Sequence, residues 1–213
     1  MTTGNTSTSG RLPGKKSLGE TAERVYQYMI TPHTGLADTM GSAVDANPAA
    51  WGMSIDDWQW NPGVGVTAIS AYYDATHRPD ILDYLIRWVE RNKSKAGKFQ
   101  HVNYMAPFAI FPHLYRRTGN RYYLDTGAEY ASWIVNNSAR TLTGALQHGG
   151  DLTEEIWADT IFMAVLFLAR QAGLTGDVAL AREASEQVQL HMTYLQDPET
   201  GVLFHGYDCA ARN

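Results

Sequence analysis

Marked as apolar and polar positions, the chain falls into paired helical segments. Residues 69–92 (ISAYYDATHRPDILDYLIRWVERN), 111–137 and 166–195 share one layout. Each has an apolar segment end, a short turn built on Thr, Gly, Pro, Asn or Asp, and then a second, amphipathic segment. In the second segments the large apolar residues recur at helical spacing, as with Leu82, Leu85, Trp88 and Val89. Alternating β-branched residues, the mark of strands, are missing. The pattern predicts an all-α protein of stacked helical hairpins.

The first segment of each unit is the more apolar one. VNYMAPFAIFPHLY and IWADTIFMAVLFLA contrast with GDVALAREASEQVQLHMTYL. Two layers follow, an inner set of buried helices wrapped by half-exposed outer ones. From Ile161 to Ala169 no side chain is polar, which predicts a helix buried all round. Asp159 stands near its start, and an ionised carboxylate there is costly unless it is compensated or used. Burial beside Trp157, Phe162 and Met163 would raise its pKa and a helix N-terminus would lower it.

The connections differ by end. Inner-to-outer turns are short, whereas the outer-to-inner loops are long and carry functional residue types. WGMSIDDWQWNPG, KAGKFQHVNYMAP, TLTGALQHGGDLTEEIWAD and QDPETGVLFHGYD gather Trp58, Trp60, His101, Asn103, His148, Asp151, Asp159, His205 and Asp208. Stacked in order, the hairpins bring these loops to one end, where a rigid scaffold can present a functional surface.

Composition narrows the classes. The 213 residues are 44% hydrophobic and 18% charged with a net charge of −5, and no long basic run suggests nucleic acid. No window has the apolar length to span a membrane. The single Cys209 excludes an internal disulfide and fits a reducing compartment. Residues 1–19 are rich in Ser, Thr and Gly without an apolar core, and read as a flexible tail rather than a signal peptide. A cytoplasmic protein is the default, with residues 20–213 as its folded part.

Three motifs in order carry a family resemblance: NYMAPFAIFPHLYRRTGNRYYL, a QH followed by the Asp of IWADTIFM, and GVLFHGYD. From about Trp51 onward the chain resembles the unsaturated glucuronyl and rhamnogalacturonyl hydrolases, glycoside hydrolase families 88 and 105, and is closer to the latter. The resemblance implies an (α/α)6 barrel and removal of a 4,5-unsaturated uronic acid from the non-reducing end of a pectin- or glycan-derived oligosaccharide. Water would add to the vinyl ether rather than to the anomeric carbon, with no cofactor. The proton donor of the family's W-x-D segment maps onto Asp159, and two histidines map onto His148 and His205. The position of a second family carboxylate is Asn103 here. A later Trp and Arg of the family would fall after Asn213, and six hairpins at this spacing need roughly 300 residues. The chain therefore reads as the N-terminal part of an incomplete barrel. Inner segments Phe108–Tyr115 and Ile161–Ala169 would then be left partly bare, and a homo-oligomer is the partner this favours.

Several residues keep two readings. His148 and His205 either orient the sugar or are satisfied loop histidines. Trp58 and Trp60 either stack on sugar faces or pack at the start of a helix with Pro62 in its first turn. Asn103 either bonds a sugar hydroxyl or caps its helix. Asp151 and Glu154 have capping-box spacing. His148, Asp151 and His205 match no zinc or calcium spacing, so no metal is expected. An inverting glycosidase would need a second carboxylate about 6.5–9.5 Å from the first, and Asp56, Asp57 and Asp208 are its candidates. A helical-repeat module that binds sugar or protein without catalysis is the third class.

Overall fold

The computed structural model describes residues 14–31, 55–96, 101–148 and 153–211. The chain divides into two compact units, Met1–Pro32 and His33–Asn213. In the first unit a helix, α1, runs over Lys15–Ile30. Residues 15–19 thus open a helix instead of extending a flexible tail. The Ser- and Thr-rich composition stops before Gly14, and the Lys, Leu, Glu and Ala that follow are good helix formers.

The second unit carries α2 (Trp60–Thr76), α3 (Pro79–Asn92), a 3-10 segment Val102–Ile110 continuing into α4 (Phe111–Thr118), and α5 (Arg121–Asn137). Strand β1 (Glu155–Trp157), α6 (Leu166–Thr175), α7 (Val178–Leu195) and strand β2 (Gly206–Asp208) complete it. The three predicted hairpins are α2–α3, α4–α5 and α6–α7. Each turn is closed by a left-handed residue, His77 (φ 53°), Gly119 (φ 68°) and Gly176 (φ 74°). Glycine suits that conformation; His77 adopts it against its Cβ.

The two layers also appear. Outer helices bury one stripe each: Ile81, Leu85, Trp88 and Val89 on α3; Tyr123, Gly127, Ala131 and Ile134 on α5; Leu180, Ala184, Gln187, His191 and Leu195 on α7. The inner elements α2, the 3-10 segment and α6 pack on one another as well as on their outer partners. Phe108–Phe111 and Leu114 are fully buried, and Ile161, Phe162 and Leu166 are half-buried. Neither inner segment exposes a large apolar side chain, contrary to the bare sides expected of them, because neighbouring inner elements cover each other. Among the described residues no helix is long and apolar enough to cross a membrane.

One prediction fails in an informative way. The stretch from Glu154 to Ala169 is not a single helix. It forms β1, a turn at 158–159, a single π-helical stretch Ile161–Val165, and only then α6. Strand β1 pairs antiparallel with β2 in the register Glu155–Asp208, Ile156–Tyr207, Trp157–Gly206. Its partner lies some fifty residues downstream, so no local periodicity announces it.

Candidate active site

The β1–β2 ribbon sets the stage. Strand alternation sends Ile156 and Tyr207 to one face, where they join Ala145, Leu195, Leu190 and Tyr194 in a small apolar cluster. Trp157 lies on the opposite face with Gly206. A Cβ on Gly206 would sit 3.2 Å from the Trp157 ring, so glycine lets the indole lie flat on the ribbon. The ladder continues past both ends, with Ala158 N–H donating to His205 O and Cys209 N–H donating to Glu154 O, and His148 N–H donates to Glu155 O of β1. Asp159, His148 and His205 are thereby fixed by backbone bonds to one short ribbon.

Their side chains converge. The His148 ring stacks face to face on Trp157, 4.2 Å between centroids and 1° between planes. His205 leans on the same indole at 4.9 Å, and His101 meets His148 edge-on at 5.6 Å. His148 Nδ1 lies 3.0 Å from the buried Thr160 Oγ1 and 3.5 Å from Asp159 Oδ1. Asp159 occupies the turn before the π-helical stretch, and its carbonyl accepts from Phe162 and Met163 N–H. Its side chain keeps 33% of its exposure. Oδ1 is buried without a hydrogen-bond partner among the described residues. A carboxylate with an unsatisfied oxygen, half open to solvent and beside an imidazole, is placed for proton transfer.

Burial holds the His148 imidazole below its ordinary pKa; Asp159 opposes this, while His101 and His205 add to it. Burial likewise lowers His101, against a hydrogen bond to the His148 backbone and the charge of Asp159. His191, on the buried stripe of α7, is also held down by burial, with Asp159 among the groups opposing. Held neutral by burial, the His148 imidazole puts no fixed cation beside Asp159.

The other candidates separate. Trp58 is 1% exposed, stacked on Trp88 and packed edge-on against Phe108 and Phe111, with its indole N–H donating to Tyr104 O. It is core, and no sugar reaches it. Trp60, two residues on, is 38% exposed at the start of α2. Asn103 is not the cap of its segment, since the His101 imidazole accepts its backbone N–H; its own Oδ1 is buried and unpaired among the described residues. Asp208 spends Oδ1 on the backbone N–H groups of Ala210 and Ala211. Asp57 accepts from Trp58 N–H and pairs with Lys95, and Asp56 pairs with Arg91. The three candidate second acids of an inverting enzyme are therefore engaged in local structure. The capping box is also replaced: Glu154 lies outside any helix and its carboxylate accepts from Leu142 N–H, while Asp151 falls outside the described residues. No group of three metal-ligating side chains occurs among the described residues.

Sequence reading missed His191 and Thr160 and gave His101 no role. His191 was detectable, because a buried stripe that reads Leu180, Ala184, Gln187, His191, Leu195 puts two polar residues where apolar ones belong.

A carboxylic acid beside a cluster of histidines, on the loops of stacked helical hairpins, makes a candidate acid–base site on an α/α scaffold. The sequence pattern of Glycosyl Hydrolase Family 88 matches residues 37–213, and the chain belongs to that family. It is 29% identical over 161 residues, 73% of this chain and 47% of the relative, to the unsaturated rhamnogalacturonyl hydrolase YesR of Bacillus subtilis. Its fold is similar to a crystal structure described as a possible member of glycoside hydrolase family 105 from Klebsiella pneumoniae, with a TM-score of 0.80 and 27% identity over 97% of this chain and 55% of that one. A family 105 candidate from Salmonella enterica serovar Paratyphi A gives a TM-score of 0.81 at 25% identity with the same coverage. The chain thus spans about half the length of these relatives.

Proposed function

We propose that the protein acts in removing a 4,5-unsaturated uronic acid from the non-reducing end of an oligosaccharide, by hydrating the vinyl ether of that sugar. The observation that carries this reading is Asp159, whose buried Oδ1 lies 3.5 Å from His148 Nδ1 while its side chain keeps 33% of its exposure. Membership of family 88 and the likeness to an unsaturated rhamnogalacturonyl hydrolase support the substrate class.

Asp159 gives its proton to C4 of the unsaturated ring, which leaves cationic character at C5 shared with the ring oxygen. The carboxylate so formed takes a proton from water as that water attacks C5. The hemiketal opens at the ring oxygen, and the hemiacetal left at C1 releases the shortened sugar and a keto-uronate. Protons and water balance without a cofactor. An aspartate that serves as acid and then as base is helped by neutral imidazoles, which do not pin it as an ion pair. In this reading His205, exposed beside Trp157, bonds the sugar, Asn103, whose Oδ1 is buried and unpaired among the described residues, assists it, and Trp60 gives it an aromatic face.

Heavy-oxygen water tests the chemistry. In a single turnover trapped by immediate reduction, the label is expected on C5 of the uronate product. Label on C1 would overturn the reading in favour of ordinary glycosidic hydrolysis.

A further inference from the structure

The loop that ends in His148 has little apolar anchorage of its own. Only Ala145 and Leu146 within it are buried hydrophobic residues. What holds it is a buried polar ladder on α7. Glu183, Gln187 and His191 follow one another at helical i, i+4 spacing, and Gln187 is 1% exposed. Its carboxamide Oε1 accepts from Leu146 N–H at 2.8 Å. Its Nε2 donates to Gly144 O and to the Glu183 carboxylate, both at 3.0 Å. Glu183 also pairs with Arg140 at 2.9 Å, and Arg140 donates to Gly144 O at 3.0 Å.

The ladder reaches the site through Gln147, itself 1% exposed and next in sequence to His148. Gln147 Nε2 donates to Arg140 O, and its Oε1 accepts from the N–H groups of Thr153 and Glu154, immediately before β1. Both ends of the loop are therefore referred to α7 on one side and to the ribbon on the other.

We propose that Gln187, backed by Glu183, is a positioning residue for the hydrolytic site: it sets the seat of the 140–148 loop and so holds the His148 imidazole on Trp157 and beside Asp159. The inference rests on reading Asp159 as the proton donor. The seat demands one donor and one acceptor in a dry place, and a carboxamide supplies both at once. Leucine in its place leaves the Leu146 N–H unpaired where no water reaches it, so the loop moves to find a partner. His148 has only a 3.5 Å margin to Asp159, and misplacement by about 1 Å costs on the order of 10²-fold in rate.

The test is made on the intact protein with an unsaturated uronyl oligosaccharide, following loss of its ultraviolet chromophore. Gln187→Leu is expected to lower kcat about 10²-fold with KM changed by less than about threefold, the signature of a lost transition-state arrangement. Gln187→Glu keeps the acceptor for Leu146 N–H but removes the donor to Gly144 O and sets two carboxylates against each other, so it is expected to lose a similar factor. If Gln187→Leu does not fold, Gln187→Glu carries the comparison. A kcat for Gln187→Leu or Gln187→Glu close to the unaltered protein, with Asp159→Asn inactive, overturns this inference alone. An Asp159→Asn variant of undiminished rate overturns the reading beneath it.

Discussion

At their turns the hairpins close within a few residues. His77, Gly119 and Gly176 each donate a backbone N–H to a carbonyl four residues back, and Asn120 and Asp177 cap the helices that follow. At the other end the loops close over long distances. Trp58 bonds Tyr104 O, Leu146 bonds Gln187, Ala158 bonds His205, and His148, stacked on Trp157 with His101 at its edge, reaches Asp159. Buried polar atoms without a hydrogen-bond partner occur toward both ends among the described residues: Asn103 Oδ1, Asp159 Oδ1 and His191 Nε2 toward the loops, and His113 Nε2 and both carboxamide atoms of Gln171 on the helices that run into the turns. Unsatisfied polar atoms cost stability. What sets the loop end apart is that its closure depends on residues far apart in sequence.

The contrast can be broken most forcefully at two tryptophans in the same loop. Trp58→Ala should cost about 3–5 kcal/mol by emptying a core site, whereas Trp60→Ala should change stability by no more than about 0.5 kcal/mol and act on KM. Denaturant unfolding of both variants decides it. Equal losses would mean that the loop end has no core of its own.

Acid should loosen the loop end first. Burial holds the imidazoles of His148 and His191, 6% and 0% exposed, below their ordinary value. The unfolded chain therefore binds more protons as pH falls below about 6.5, and stability drops there by at most about 1.4 kcal/mol per pH unit for each imidazole. Above that value the full stability is present. Hydrogen exchange at pH 7 and 5.5 should show protection lost at the Leu146 and His148 amides before those of Gly119 and Gly176. Stability that holds or rises on acidification would contradict the assignment of these histidines as buried and neutral.

The smallest effects belong to the turns. His77→Gly should stabilise the protein by roughly 0.5–1 kcal/mol by relieving a left-handed Cβ, and Gly119→Ala should destabilise it by a similar amount. Thermal melts of the pair give the sign directly, and shifts in the same direction would show that the turns are not the independent local units described.

The same division explains what could be read in advance. Helical hairpins, their layers and their turns rest on spacing and on Gly, Asn and Asp chemistry, all of it local. Asp159 and His148 were singled out through motif order, and the structure brings their side chains to 3.5 Å, yet the backbone that carries Asp159 was misjudged. An apolar run after Trp157 looks helical from its first residue, and only pairing with Gly206–Asp208 makes Glu155–Trp157 a strand. Trp58 could not be told from Trp60 by residue type, since burial of one and exposure of the other depend on Trp88 and Phe108 arriving from 30 and 50 residues downstream. The Gln187 seat was visible only as polar residues out of place on an amphipathic helix.

The central claim is that Asp159 supplies the proton at this surface. Its most direct test is the rate of chromophore loss from an unsaturated uronyl oligosaccharide by intact protein carrying Asp159→Asn, which keeps the shape of the side chain and removes its acid. The account predicts a fall in kcat of about 10²–10⁴-fold with substrate still bound. A variant that retains half the original rate would contradict it.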